Sequence, residues 1–304
     1  MLAGGTGGAK LARGMLDVVG PDELVVIANT GDDIDIYGAH VSPDPDLISF
    51  WLADEIDERG WGLRDDSFCV MDALRPLGRE VWFNLGDRDL AWCLERSRLC
   101  AEEGLRPTEA LARLNAAIGV RATVLPMSDR PQPTRVRTDA GWRPFQEFMI
   151  RDRAAATVHE VAFGEPGATP AAPTPEALAA LRDARAVIVG PSNPAISIWP
   201  ILHVLGDALG NLAAPVVCVS PVVAGAIVKG PTAAFLAAYG QPVNATGVVA
   251  FYEQVRPDLL GGVVSDEQVT TLPALRIETA MADAGARARV AERTLAFALS
   301  LAVA

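Results

Sequence analysis

The sequence predicts an α/β protein: a Rossmann-like, doubly wound, mostly parallel sheet carrying a smaller α+β insertion. Three observations predict it. Short apolar runs, LVVIA (24–28), AVIVG (186–190) and PVVCVS (215–220), have the length and composition of strands buried on both faces. Segments of helical periodicity alternate with them. Each of the last two runs ends in turn chemistry, GPSNP and SP, and the chain opens on another such turn, MLAGGTGGAK, with only Met1, Leu2 and Ala3 before the glycines.

Taken in order, Leu11, Met15, Leu16, Val18 and Val19 recur at helical spacing after the glycines, so the opening reads strand, turn, helix, strand. A polar stretch from Asn29 to Asp46 follows, long enough to be functional rather than a passive connection. Helices are expected from Leu47 to about Glu58, over 87–103 with Gly104 as the stop, and from Pro107 onward. ATVLP, TRVRT and TVHEVAF, within 120–163, are short β-like runs that suggest an antiparallel insertion. GEPGATPAAPTP (164–175) reads as a surface linker into a helix over 176–184. A last helix after Asp283 places Val290, Thr294, Phe297 and Leu301 on one face. The predicted division is a core of 1–118 and 176–304, with insertion and linker at 119–175.

A chain of 304 residues can bury a substantial core. Its 26 Lys and Arg against 38 Asp and Glu leave a formal net charge of −12, which disfavours nucleic acid as a partner. No apolar run reaches the roughly 18 residues of a membrane span, and no signal peptide is evident, so a cytoplasmic protein without a membrane partner is expected. Cys69, Cys93, Cys100 and Cys218 form no CxxC pair, and His40, His159 and His203 lie far apart in sequence. Neither a zinc site nor a disulfide framework is expected, and Cys93 and Cys100 are expected to pack inside.

The candidate chemistry sits in the turns, because ligands of open parallel sheets bind beyond the carboxyl ends of strands. Glycines at 4, 5, 7 and 8 permit a tight bend and close approach of a ligand, and helix-start amides favour an anion. The turn departs from the dinucleotide fingerprint, since Lys10 occupies its third glycine position, and from the Walker pattern. Packing alone is the alternative role for these glycines. NTGDD supplies Asp32 and Asp33, and SPDPD supplies Asp44 and Asp46. Such carboxylates suit magnesium at a phosphate site or, alternatively, bond local turn amides. In WFNLGDRD, Arg88 at a helix start pins a phosphate, stacks on a planar ring or pairs with its acidic neighbours. In GPSNP, Asn193 is placed as an N-cap before Pro194, and Lys229 in VKGP is a further candidate.

In order, GGTGGAKLARG, NTGDD, SPDPD, RGWGLRDD, WFNLGDRDLA, LPMSD, FQEFMI, GPSNP, SP and KGP resemble the 2-phospho-L-lactate transferase family of coenzyme F420 biosynthesis, bacterial phosphoenolpyruvate-using members included. The resemblance runs from residue 1 to about 250. It implies transfer of a phospholactyl or phosphoenolpyruvyl group from a guanosine-diphosphate-activated donor to the terminal ribityl hydroxyl of the deazaflavin FO, with release of GMP and a requirement for magnesium. It also implies FO near Asp44, Asp46 and Arg88. The nucleotide and its phosphates would lie along Gly5, Thr6, Gly7, Gly8, Lys10, Ser192, Asn193 and Lys229. Asp32 or Asp33 would hold magnesium, and Asp44 would orient or deprotonate the hydroxyl; Asp32, Asp33 and Asp44 are the catalytic candidates. A homodimer is expected, for which the apolar closing helix offers a surface. The alternative function is a non-catalytic nucleotide-sugar-binding regulator, because a related group shares the glycine turn and the NTGDD-like motif. Family members usually carry several more residues before the glycines, so a shortened first strand or a start assigned too late is expected. Residues 277–283 match the family's closing motif only loosely and receive no ligand role.

Overall fold

The structure, a computed structural model, describes residues 1–227 and 230–302. Its main sheet contains β1 (Leu2–Ala3), β2 (Val25–Ala28), β3 (Thr123–Pro126), β4 (Val187–Val189), β5 (Val216–Val219), β6 (Gly262–Ser265) and β7 (Ala274–Arg276). Their order across the sheet is β3-β2-β1-β4-β5-β6-β7, and every pairing is parallel. The strand order therefore reverses between β1 and β4, which makes the crevice above those two carboxyl ends the natural ligand site.

Alternate residues of each strand feed opposite faces, as a pleated strand requires. Ala3, Val26, Ala28, Val217 and Val219 join one apolar cluster beneath α1 (Gly5–Val19), α2 (Pro43–Leu52), α3 (Asp87–Glu102) and the closing helix Ala284–Leu301. Leu2, Ile27, Val189, Val216 and Cys218 join the other, beneath helices that include Pro175–Asp183, Trp199–Leu205 and Ala245–Val255. The sheet is thus doubly wound. β1 is only two residues long, yet it is held from both sides. Asn29 N donates to the Ala3 carbonyl (3.1 Å) and Gly190 N to that of Leu2 (2.9 Å).

Several elements differ from expectation. ATVLP is not part of an insertion: β3 is an edge strand of the main sheet, joined to β2 at Val25–Ala28. A strand flanked by Pro and Ser on one side looks irregular in sequence, but its Val124 and Leu125 are buried between two helical layers. The antiparallel unit that remains is the three-stranded sheet of Thr134–Thr138, Gly141–Pro144 and Glu160–Phe163. The polar stretch 29–46 contains a hairpin, Ile34–Ile36 with Ala39–Val41, whose turn residues Tyr37 and Gly38 have φ of 54° and 83°. Positive φ at both positions suits the right-handed twist of a two-residue hairpin. α2 starts at Pro43, because proline fits the first helical position and Asp44 and Asp46 favour the first turn. In α3 the buried residues are Leu90, Trp92, Cys93, Arg96 and Leu99, whereas Leu94 is 46% exposed.

The closing helix crosses α1 at Gly14, where a Cβ would stand 2.5 Å from the Arg287 carbonyl oxygen. Its apolar face is spent inside the molecule: Val290 and Thr294 are fully buried, and Phe297 and Leu301 lie over Gly262 of β6. It is therefore not the free interface expected of it. Gly14→Ala should lower stability by about 1–3 kcal/mol through overpacking at this crossing. Urea unfolding should show a lower midpoint with an unchanged slope.

Candidate active site

The first turn of α1 points into the crevice beyond β1. No side chain caps this helix; Gly4 is the N-cap, and the orphan amide of Gly5 is met by Asp44 Oδ1 at 2.6 Å. Asp44 Oδ2 accepts from Asn29 Nδ2 at 2.9 Å, and Asn29 Oδ1 in turn accepts from Gly31 N at 2.8 Å. One carboxylate therefore joins three elements: the glycine turn, the end of β2 and the start of α2. Ser192, beyond β4, closes the other side, accepting from Gly4 N (3.3 Å) and donating to the Gly4 carbonyl (2.5 Å).

The glycines divide in role. A Cβ on Gly7 would sit 2.0 Å from the Pro191 carbonyl oxygen, and one on Gly8 would meet Ser192 Oγ at 2.6 Å, so these two are required by packing against the chain after β4. Gly5, at φ 61°, adopts a conformation that a side chain disfavours, and a Cβ there would meet Ser197 Oγ at 4.0 Å. With Thr6 and Gly7 it is partly exposed at a helix start, where no backbone acceptor is available for the amides of the first turn.

Around this turn the structure gathers Asp32, Asp33 and Asp44. Burial pushes the Asp44 carboxyl up to about 6, against the hydrogen bonds from Asn29 and Gly5, and the charge of Asp33 adds to the rise. Asp32 is raised well above the ordinary carboxylate range, first by burial and then by the charge of Asp44. Its Oδ1 is buried with no hydrogen-bond partner, while its carbonyl accepts from Gln146 Nε2 at 2.9 Å. Asp33 is raised by burial, opposed by His40 and Ser42; Ser42 Oγ donates to it at 2.7 Å and His40 Nε2 lies at 3.2 Å. The hydrogen bond to Asp33 lifts His40 to about 9, and its Nδ1 is 2.7 Å from Asp35. A cavity of about 160 Å³ opens beside this group, lined by Thr30, Asp33, His40, Ser42 and Arg96 and by the chain after β3. Asn193 caps the π-helical turn Pro194–Ile198 through Oδ1, leaving its buried Nδ2 unpartnered.

The remaining candidates are placed elsewhere. Asp46 is two residues from Asp44 on a helix, so its side chain leaves in a different direction. It forms a buried ion pair with Arg96 and accepts from Trp92 Nε1 at 2.8 Å, and it does not join Asp44 at the turn. Arg88 is half exposed, donating to the Arg64 carbonyl (2.5 Å) and to Glu55 (3.0 Å). The motif around it stitches two helix starts: Asp66 accepts from the Arg88 and Asp89 amides, and Asp87 from those of Cys69 and Val70. Lys10 stands over the Trp51 ring, 5.8 Å from its centroid. Lys229 lies outside the described residues. Sequence reasoning missed His40, Ser42, Gln146 and Arg96. Ser42 and Gln146 stand within SPDPD and FQEFMI but were given no role, and the hairpin register that sets His40 opposite Asp35 comes from the structure.

Dinucleotide-fold strand order, a glycine turn at the switch point and buried aspartates around it define a Rossmann-like protein with an acidic candidate site. A family model described as 2-phospho-L-lactate transferase CofD matches residues 1–282, and the chain belongs to this family of transferases. It is 36% identical over 283 residues to a protein named 2-phospho-L-lactate transferase from Methanospirillum hungatei, covering 92% of this chain and 93% of that one. It is 40% identical over 278 residues to a phosphoenolpyruvate transferase from Kitasatospora aureofaciens, covering 87% and 84%. A solved structure of a UPF0052-family protein from Bacillus halodurans shares the fold, with a TM-score of 0.65 at 16% identity over 97% of each chain. Among the described residues no helix is long and apolar enough to cross a membrane.

A raised carboxylate pKa means that the folded state binds the proton more tightly. Stability is then complete at acid pH and falls as pH rises through the folded value. Asp32→Asn removes one such charge from the cluster. It should raise the melting temperature at pH 8 by about 2 °C or more, with a smaller gain at pH 4. Thermal melts of both proteins across this range check the difference.

Proposed function

We propose that this chain transfers a phospholactyl or phosphoenolpyruvyl group from a guanosine-diphosphate-activated donor to the ribityl hydroxyl of FO, releasing GMP. The observation that carries this reading is the meeting of an open helix start, at Thr6 and Gly7, with three aspartates, one of which has a bare buried oxygen. The amides suit a diphosphate. The aspartates repel one, unless a cation lies between them.

Magnesium fits that place: Asp32 Oδ1 lacks a partner, and the carboxylates of Asp32 and Asp33 offer the hard oxygen ligands it takes. When bound, it neutralises diphosphate oxygens and eases departure of the leaving phosphate. The chain's own residues do the rest. The first turn of α1 and the Asn193 amide hold the phosphates. Asp44, fixed by Gly5 and Asn29, receives the hydroxyl proton. The hydroxyl oxygen bonds to the phosphorus that carries the three-carbon acid, and the bond from that phosphorus to the bridging oxygen breaks, freeing GMP. Positioning and charge neutralisation supply most of the acceleration in such a transfer. The deazaflavin enters from the side of Asp44, and the protein acts as a homodimer.

Incubation with FO, magnesium and each guanylyl donor, followed by mass analysis, tests the reaction. Absence of product with both donors, with FO fluorescence unperturbed, would refute it. Asp44→Asn should reduce turnover by about 10²- to 10⁴-fold, the usual worth of a positioned general base. The wild-type rate should rise with pH through a limb at or below about 6, as Asp44 loses its proton, and this limb should be absent from the residual rate of the variant.

A further inference from the structure

Asp89 and Cys93 stand one turn apart on α3, so their side chains leave the same face. Asp46 meets them from α2. One oxygen of each aspartate and the Cys93 sulphur lie within 4.8 Å of one another. Asp46 is 3% exposed, and its two oxygens differ. Oδ1 takes both Arg96 and the Trp92 N–H, whereas Oδ2 is buried with no partner. Buried polar atoms are almost always paired, so a bare oxygen on an aspartate that stands beside a carboxyl and a thiol marks the place of a missing ligand. No step of the transfer reaction uses these three groups.

We propose that Asp46, Asp89 and Cys93 bind a thiophilic divalent cation of the zinc type, separate from the cation at Asp32. One thiolate and two carboxylates form a borderline-soft donor set that zinc accepts and magnesium does not. The charges balance. Arg96 neutralises Asp46, and the cation takes the place of the protons on Asp89 and Cys93, its two positive charges meeting two negative ones. Arg96 and Trp92 then act as outer partners that orient the Asp46 carboxylate, as metal sites require. The bound ion ties α2 to α3, and with α2 it steadies the helix start that carries Asp44.

The test uses the Cys69→Ser protein, which lacks the exposed thiol, in excess magnesium. Titration with Co²⁺ should show one equivalent bound, with thiolate-to-cobalt charge-transfer absorption that Zn²⁺ abolishes. Zn²⁺ should raise the melting temperature. Adding Cys93→Ser should remove the absorption, and Cys93→His should retain one equivalent of metal without it. Asp89→Asn, at a less buried position, should weaken binding at least tenfold, and it decides the matter if the serine variant does not fold. No charge-transfer absorption in the Cys69→Ser protein, or absorption and affinity unchanged by Asp89→Asn, overturns the proposal.

Discussion

The carboxylate of Asp44 is the constraint on which the rest of the site depends. α1 begins without a capping side chain of its own, and an orphan amide at a partly exposed helix start must find an acceptor in the protein, in solvent or in a ligand. Asp44 provides it from 39 positions away, while its second oxygen takes the Asn29 amide at the end of β2. Gly4 is dictated by the same group, because a Cβ there would lie 2.5 Å from Asp44 Oδ2. Position of the turn, choice of residue and orientation of α2 are thus one arrangement. A two-residue central strand suffices because the turn after it is anchored from both neighbouring strands, by Asn29 and Ser192.

That arrangement is not optimised for stability. Asp32, Asp33 and Asp44 are all held above their ordinary pKa, each chiefly by burial. Compensation is uneven: Asp33 has Ser42 and His40, Asp44 has two amides, and one oxygen of Asp32 has nothing. The two apolar layers on either side of the sheet carry this cost, and the unmet demand for positive charge is concentrated where the helix start is open. Local rules of folding are broken in one place, which is where a ligand site is expected.

Much of this was legible in the sequence. Apolar runs and glycine turns revealed a parallel sheet with its chemistry at strand ends, since burial on both faces leaves little freedom in composition. NTGDD and SPDPD showed where acids gather. Their direction was not legible, because a polar run carries no helical phase until its first turn is located. Once Pro43 is known to start α2, Asp44 and Asp46 must diverge. The Arg96–Asp46–Trp92 contacts join residues 46 to 50 positions apart and leave no local trace. An arginine within a buried helical stripe reads as a solvated face from sequence alone. Strands β6 and β7 went unread because Gly262–Ser265 and Ala274–Arg276 each hold only two consecutive apolar residues, against the longer apolar runs that contain β2, β4 and β5.

The divergence of Asp44 and Asp46 also explains why a buried ion pair sits so near the glycine turn. Two positions apart on a helix correspond to a rotation of roughly 200°, so both carboxylates cannot face the crevice. Rotating α2 to bring Asp46 inward would bury Asp44 against α3, where Trp92 and Arg96 already find Asp46. A buried pair contributes little net stability, since desolvation offsets its attraction, but breaking it leaves an uncompensated charge. Its value here is directional. The Arg96 guanidinium, itself fully inside the core, fixes the rotation of α2 and thereby aims Asp44 at the Gly5 amide, so that the geometry of the glycine turn is held from the far side of the helix.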